Sequence, residues 1–326
     1  MNLPLRILLI LVVVGAAIAA AMKFTPHHTT DNPFTTLYMH VVPAELEVPA
    51  PADEGHGDEA RHAGEHPPGE KLLAIPMPGF LNLFTLDSSG EATGYLRLYN
   101  LQLFQIAAIL LCFICFLGVP RAIRTGRGDV IGRVFAGWAM WIRDEMVYPA
   151  MGKDDGRKFL PFFLCLFFFL VFINLMGLIP GSATPTASIF VTVAMAAITL
   201  AMIVGGGMWV QGPVAFWKNL VPHVPLALWP LMFIVELLGL IIKPIALTIR
   251  LFANISGGHM VVLSFMGLIF YFGTNMGTLA GLGAAPVAIG FAVFIMIIEV
   301  FVAMLQAYIF TQLSILFVGA ALHPEH

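Results

Sequence analysis

The stretch that decides the fold is residues 229–268, which read WPLMFIVELLGLIIKPIALTIRLFANISGGHMVVLSFMGL. Most of these side chains are apolar, and the run is longer than the roughly 20 residues that cross the hydrocarbon core of a bilayer. A helix of this length must tilt strongly or bend within the bilayer. The run nevertheless carries a permanent cation, Arg250, near its middle. A charge at that depth costs at least about 2.5–3.5 kcal/mol on insertion scales, so it requires a reason.

The composition of the whole chain places it in the same class. Of its 326 residues, 59% are hydrophobic and only 11% are charged, whereas soluble domains carry roughly twice that charged fraction. The apolar runs lack the alternation of barrel strands, so we predict an all-α integral membrane protein. About five core transmembrane helices are expected, the last two long, tilted and packed as a hairpin, with an N-terminal hydrophobic segment in addition. The five predicted spans lie at about 98–119, 159–180, 187–210, 229–268 and 286–320.

Basic residues orient these spans. The polar region 121–158 holds eight of the sixteen Lys and Arg residues, and such a concentration marks the cytoplasmic side, or the matrix side in an organelle. Within it, residues 130–151 predict an amphipathic helix on the membrane face. Alternation of the spans then puts the acidic segment 23–97 outside and the short C-terminal tail 321–326 inside.

Two segments in the N-terminal part of the chain each allow two interpretations. Residues 1–22 contain Arg6 and an apolar run that ends in small residues, as in a cleaved signal peptide or a retained N-terminal anchor. The acidic segment contains His56, His62 and His66, whose spacing is compatible with zinc binding. The other interpretation is a solvated, flexible extramembrane segment without a core.

Cysteines give a weaker signal. Cys112 and Cys115 form a Cys-x-x-Cys pair inside an apolar run, and Cys165 lies in another such run. Such a pair could suggest a redox or metal site, but no second cysteine pair and no nearby histidine accompanies it. We therefore interpret the cysteines as small apolar residues of membrane helices, and we expect no metal site and no cofactor.

The charges of the last two spans form a pattern. Glu236, Lys243 and Arg250 are spaced by seven, which keeps them on one face of a helix. Because the final helix runs back toward the inside, matching the helix rise places Glu299 near His259, and Gln306 near Arg250. Helix association alone could also require such pairs, but two helices whose polar residues match in depth favour an ion pathway.

The motif around Arg250 resembles a known family. KPIALTIRLFANISGGHM (243–260) is similar to the channel helix of subunit a of the F-type ATP synthase. INLMGLIPG (173–181) resembles that family's NL-x-G-L-x-P motif, and LQAYIFTQLSILFVG (305–319) resembles its closing helix. The resemblance covers about residues 98–320, for which it implies a membrane channel domain.

The resemblance also implies residue roles. Arg250 would be the stator arginine that faces the carboxylates of the rotating c-ring. His259 and Glu299 match the outer-channel pair, with the acid and the base exchanged as in mitochondrial-type members. Further matching positions, expected to line the ion path or support it, are Glu236, Lys243, Asn254, Gln306 and Asn174.

The function expected from the resemblance is that of a stator with two offset half-channels, which couples ion flow to rotation and to ATP synthesis or hydrolysis. Protons are the expected ion, and sodium is the alternative. The expected partners are the c-ring, the peripheral-stalk b subunits and membrane lipids, with no nucleic acid. The sequence lacks a phosphate-binding loop followed by Lys-Ser/Thr, so we expect a non-catalytic subunit with ATP chemistry on other chains.

Two other functions remain alternatives to this one. They are an independent proton-coupled transporter and a non-conducting membrane assembly scaffold. The expected location is the bacterial inner membrane, with an organelle inner membrane as the alternative.

Overall fold

A computed structural model describes residues 3–24, 47–48, 70–71, 74–76, 95–97, 99–126, 128–179, 184–221, 224–225 and 228–322. Helices dominate the part of the chain so described. They are α1 (Leu3–Phe24), α2 (Asn100–Phe116), α3 (Val119–Thr125), α4 (Val130–Trp141), α5 (Tyr148–Gly177), α6 (Ile189–Gln211), α7 (Pro213–Asn219), α8 (Trp229–Met276) and α9 (Thr278–Leu322). Six helical stretches in these ranges are long and apolar enough to cross a membrane. The prediction of an all-α membrane protein is confirmed.

Short strands occur in the predicted extramembrane segment. They are β1 (Glu47–Val48), β2 (Glu70–Lys71), β3 (Ala74–Pro76) and β4 (Tyr95–Arg97). β1 pairs antiparallel with β2, and β3 with β4. The first ladder joins the two ends of the acidic region, since Glu47 lies opposite Lys71 and Val48 opposite Glu70. His56, His62 and His66, considered above as zinc ligands, lie outside the described residues.

The amphipathic region forms a helix with a defined end. α4 continues through a π-helical turn, Ile142–Val147, into the first residues of α5. The backbone then breaks at Gly152, whose φ of 74° lies in the left-handed region that a residue without Cβ adopts most easily. The helix predicted over 130–151 is therefore present, and the rest of α5, up to Gly177, forms the following apolar span.

The last two helices form a hairpin with a one-residue connection. α8 ends at Met276 and α9 begins at Thr278, with Gly277 at a φ of 93° between them. The approach is close, because a Cβ on Gly281 would lie only 2.9 Å from the Cα of Gly273. We expected the two spans to end near 268 and to begin near 286, so both helices extend farther into the connection than predicted.

The long helices pack side by side around one apolar core. α1 contacts α2, α2 contacts α5, α5 contacts α9, and α6 contacts both arms of the α8–α9 hairpin. Side chains from all six of the described long helices meet in the largest buried cluster, among them Phe104, Leu170, Leu251 and Ile315. This arrangement leaves one side of α8 on the outside of the helix assembly.

The N-terminal helix is joined to the rest by a buried ion pair. Arg6 is only 1% exposed, and its Nη1 lies 2.7 Å from Oδ2 of Asp129, just before α4. The contact is an ion pair by distance rather than an aligned hydrogen bond, since neither atom meets a partner at hydrogen-bonding angles among the described residues. Farther along α1, Ala17 and Ala21 are buried in the common core.

Candidate functional site

Arg250 lies on the outer face of α8. Asn254 and Gly257, one and two turns farther along, are also exposed, whereas Leu247 and Leu251 on the opposite side are buried. Within the described part of the chain, Arg250 makes no hydrogen bond or ion pair. The helix thus presents an unpaired guanidinium, with small and polar neighbours, to whatever covers this face.

The same helix carries two more charges toward its N-terminal end. Glu236 is half-buried, and Lys243 is exposed with its Nζ 5.3 Å from the centre of the Phe317 ring on α9. This is a cation–π contact, which stabilises a cation that has left water. From the helix rise, Glu236 lies roughly 21 Å from Arg250 along the axis. Glu236 and His259 therefore lie on opposite sides of Arg250 along the helix.

Glu299 comes from α9 and reaches α8 beside His259. Its carboxyl group lies against Gly258: a Cβ at that position would overlap Glu299 Oε1 and lie 2.7 Å from Cδ. The absence of a side chain at Gly258 is what makes room for the carboxylate. The structure therefore brings Glu299 next to residue 259, as matching of depths predicts, although no ion pair joins it to the His259 ring among the described side chains.

His259 is half-buried and is held from another element. Its Nε2 lies 2.8 Å from Oγ1 of Thr184, and the same hydroxyl donates a hydrogen bond of 3.0 Å to the carbonyl oxygen of Gly177. Gly177 ends α5, and a Cβ there would lie 2.5 Å from Cγ2 of Thr184. The glycine of the NLMG motif thus permits the close approach that places the threonine beside the histidine.

Two neutral polar residues lie deeper in the helix assembly. Asn174 is fully buried, and its Nδ2 donates to the carbonyl oxygen of Ala303 at 3.2 Å, which ties α5 to α9. Its Oδ1 has no hydrogen-bond partner among the described residues, so it remains free to accept one from a water or an ion carrier. Gln306 is buried on α9, and no hydrogen bond links it to Arg250 in the described structure.

Sequence reasoning missed the hydroxyl groups that lie between these residues. Threonine and serine in apolar helices usually bond to the carbonyl of their own preceding turn, so their presence in the sequence signals little. Thr192, Thr199 and Thr248 show this pattern. Thr184 differs because it lies outside a helix and bonds to Gly177 and His259 rather than to the carbonyl of a preceding helical turn. In the sequence, the feature that marks this threonine is its place in TPT (184–186), shortly after NLMGLIP (174–180).

The cysteines and acids form no metal centre in the described ranges. No group of three or more His, Cys, Asp or Glu residues is placed there to hold a metal ion. Cys112, Cys115 and Cys165 are free thiols, with Cys115 buried among apolar side chains.

Comparison with known proteins gives the family. The model of the ATP synthase A chain family matches residues 102–319, which is most of the helical assembly described above. The chain belongs to the ATP synthase subunit a family. All of the residues considered for the site, from Asn174 to Gln306, lie inside the matched region.

Individual relatives support the assignment. ATP synthase subunit a of Anaeromyxobacter dehalogenans strain 2CP-C is 44% identical over 309 residues, which covers 86% of this chain and 77% of the relative. ATP synthase subunit a of Myxococcus xanthus is 40% identical over 187 residues, and the aligned part spans only 59% of that relative. ATP synthase subunit a 2 of Chlorobaculum tepidum is 33% identical over 303 residues, covering 87% and 81% of the two chains. This member of the family therefore has bacterial relatives, and the six apolar helices of its described ranges make it a multi-pass membrane protein.

Proposed function

We propose that this chain is the ion-conducting stator subunit of the F-type ATP synthase, which carries protons to and from the c-ring through two offset half-channels. The observation that supports the proposal most strongly is the exposed guanidinium of Arg250, which has no partner within the described chain. A cation in that position is stabilised when an anionic group of another subunit faces it. A rotor carboxylate is such a group.

On the outer side, the path passes Glu299, His259 and Asn174. A carboxylate and an imidazole can each take up and release a proton, and the unpaired Oδ1 of Asn174 accepts a hydrogen bond from a water between them. A proton that passes this group reaches a rotor carboxylate and neutralises it. The neutral carboxyl group then enters the lipid at far lower cost than the charged one.

On the inner side, Glu236 receives the proton when the rotor site returns. Arg250 favours the ionised form of that site by its opposite charge, and Asn254 lines the face between them. The arginine keeps its own proton and therefore cannot relay one. A proton thus cannot pass through Arg250 directly from one half-channel to the other. Each charge that crosses 100 mV releases about 2.3 kcal/mol, so several transfers are summed through rotation for one ATP.

The remaining parts of the proposal concern the assembly. The subunit itself is non-catalytic, with ATP chemistry on other chains, and its partners are the c-ring, the peripheral-stalk b subunits and membrane lipids. Lys243 supports the fold near the inner half-channel through Phe317 rather than exchanging protons. The bacterial relatives support a bacterial inner membrane as the location.

The central test replaces Arg250 in the assembled complex. In inverted membrane vesicles, Arg250→Ala should abolish ATP-driven acidification and proton-driven ATP synthesis, whereas Arg124→Ala, at an exposed arginine of α3, should leave both unchanged. Unimpaired coupled pumping by Arg250→Ala would contradict the proposal. Repeating the assay without sodium distinguishes the two candidate ions. Proton pumping should continue unchanged, whereas a sodium-translocating enzyme would stop transporting.

A second test concerns the outer pair. Exchanging His259 and Glu299 keeps one acid and one base in the same place, so the double variant should retain more pumping than either single alanine variant. An exchange as inactive as the single alanines would show that the two residues do not act as a pair.

The two alternatives predict a different composition of the purified protein. An independent transporter or an assembly scaffold would not require a ring of small two-helix subunits. Gentle detergent extraction followed by affinity purification of this chain should recover such a ring. Its absence from an active preparation would favour the alternatives.

A further inference from the structure

The single hydroxyl hydrogen of Thr184 can be donated to only one of two neighbours, the carbonyl oxygen of Gly177 or a ring nitrogen of His259. Its Oγ1 lies 3.0 Å from the carbonyl oxygen of Gly177 and 2.8 Å from Nε2 of His259. A carbonyl oxygen can only accept a hydrogen bond, whereas a ring nitrogen of a neutral histidine can donate or accept, depending on the tautomer. The hydroxyl therefore donates to Gly177, and its lone pair is left to face the histidine.

This arrangement decides which histidine nitrogen carries hydrogen. For the contact of 2.8 Å to be attractive, Nε2 must bear a hydrogen and donate it to Thr184. In the neutral ring, Nδ1 is then the nitrogen with the free lone pair. The threonine is buried, at 3% exposure, so water does not readily replace either bond.

We propose that Thr184 is a positioning residue, which fixes His259 as the Nε2–H tautomer so that Nδ1 is the atom that takes up and releases the proton. The second half of this statement rests on the proposed function, because it assumes that His259 lies on the ion path. When a proton arrives, Nδ1 binds it and the ring becomes a cation. When the proton leaves, the same N–H bond breaks, and the Nε2–H···Oγ1 bond to Thr184 is kept throughout.

Gly177 is also required for the contact between Thr184 and His259. Its missing side chain lets Thr184 approach within 3.0 Å of its carbonyl oxygen, and a Cβ there would lie 2.9 Å from Thr184 Oγ1. Gly177→Ala should therefore displace the threonine and have the same consequence as removal of its hydroxyl. Two substitutions on different elements thus test one arrangement.

The experiment measures the tautomer directly, by solid-state nitrogen NMR of the complex with labelled histidine. The chain has ten histidines, so the His259 signals are assigned by difference from a His259→Gln variant. We expect the Nε2–H form in the wild type, a mixture of both tautomers in Thr184→Val and Gly177→Ala, and the Nε2–H form in Thr184→Ser. Thr192→Val, which removes another buried hydroxyl, should leave the signals unchanged.

The same variants are assayed for ATP-driven pumping. A net hydrogen bond shifts an equilibrium by about fivefold, so Thr184→Val should pump about two- to fivefold more slowly, while Thr184→Ser restores most of the rate. A wild-type ring with hydrogen on Nδ1, or a Thr184→Val ring that stays fully Nε2–H, would overturn the inference. So would full pumping in Thr184→Val.

Failure of the proposed function gives a different result. If His259→Ala pumps at the wild-type rate, the histidine is not on the ion path, and the role given to Nδ1 fails with it. The NMR spectra would still decide whether Thr184 fixes the ring, because they do not depend on transport.

A second inference concerns α1 and stands on separate contacts. Arg6 is buried against Asp129, and a Cβ on Gly118 would lie 2.7 Å from Arg6 Nη2, while a Cβ on Gly132 would lie 3.0 Å from Asp129 Oδ1. Two glycines, one before α3 and one in α4, thus form the space that the ion pair fills. We propose that α1 is a retained sixth membrane helix, locked to the inner side of the protein by this pair.

This inference chooses between the two interpretations of residues 1–22. Loss of α1 would take away the cation that faces Asp129 and would leave empty the space beside Gly118 and Gly132 that the guanidinium fills. It would also expose the core residues that Ala17 and Ala21 cover. Because Asp129 lies within the basic region assigned to the inside, Arg6 places the start of α1 on the same side.

Intact-mass analysis of the chain from the purified complex is the first test. A mass that includes the residues of α1 is expected, and a chain that begins after residue 22 would overturn the inference. The second test compares Arg6→Met, Asp129→Asn and the double variant. Each single change should lower the thermal midpoint by more than about 5 °C, and the double variant should recover part of the loss. Strictly additive losses would contradict a coupled pair.

Discussion

Replacement of Gly258 by alanine should separate transport from stability in this protein. The added methyl group would overlap Oε1 of Glu299 and lie 2.7 Å from its Cδ and 3.0 Å from its Cγ. The atoms in the way are the end of a flexible side chain rather than backbone. Glu299 can therefore yield by rotating, but it then leaves the place beside His259 that the wild-type glycine reserves for it.

The magnitudes of the two effects differ. Alanine in a helix interior is favoured over glycine by about 1 kcal/mol, and an off-rotamer Glu299 costs about 0.5–1.5 kcal/mol, so the free energy of unfolding should change by less than about 1 kcal/mol. Ordinary contacts of a Cβ begin at 3.4 Å, which requires the carboxylate oxygen to retreat by more than about 1 Å. A displacement of that size at a reacting group can slow transfer by up to about a hundredfold.

The assay compares Gly258→Ala with Gly205→Ala, a helix glycine whose added methyl would meet no atom within 4 Å. Thermal unfolding of the complex should be similar for both variants. ATP-driven acidification of vesicles should fall at least about tenfold in Gly258→Ala and stay normal in Gly205→Ala. Wild-type pumping by Gly258→Ala would refute the reasoning, because it would mean that the position of the Glu299 carboxylate is unimportant.

Three further substitutions test other parts of the structure. Gly152→Ala introduces a Cβ at a φ of 74° with no neighbouring atom to clash with, so unfolding should become easier by about 1 kcal/mol through backbone strain alone, measurable as a lower thermal midpoint. Gly319→Ala would place a Cβ 2.6 Å from the carbonyl oxygen of Ala150, which cannot rotate away, so a loss of about 1–3 kcal/mol is expected in the same measurement. Asn174→Leu removes the hydrogen bond to Ala303 at a cost of about 1 kcal/mol and also the amide oxygen on the proposed path, so vesicle acidification should slow while the complex still assembles.

The sequence was sufficient to predict features that follow from helix geometry. Residues spaced by seven share a helical face, so the common stripe of Lys243 and Arg250 could be predicted without coordinates. The depth of Glu299 relative to His259 followed from the rise per residue. These predictions use only local regularity, which apolar membrane helices preserve because every backbone group must be bonded within the segment.

Other features depend on contacts that local patterns do not encode. The Thr184–His259 contact joins residues 75 positions apart, and a threonine in an apolar sequence usually bonds to its own backbone. The sequence-based prediction of where α8 ends and α9 begins is wrong for a different reason. Hydropathy reports where a chain leaves the hydrocarbon, whereas the helices continue to Met276 and begin again at Thr278, where only glycine geometry sets the turn.

Placing an arginine away from water costs free energy, and two arginines of this chain differ in how that cost is offset. Arg6 is 1% exposed and has Asp129 at 2.7 Å, with two glycines that make room for the pair. Arg250 has neither a carboxylate nor a hydrogen-bond acceptor among the described residues, and it lies on an exposed face of a helix long and apolar enough to span the membrane. A charge held permanently inside its own chain needs a permanent partner. Under the proposed function, Arg250 meets one rotor carboxylate after another, and a permanent partner within its own chain would prevent this.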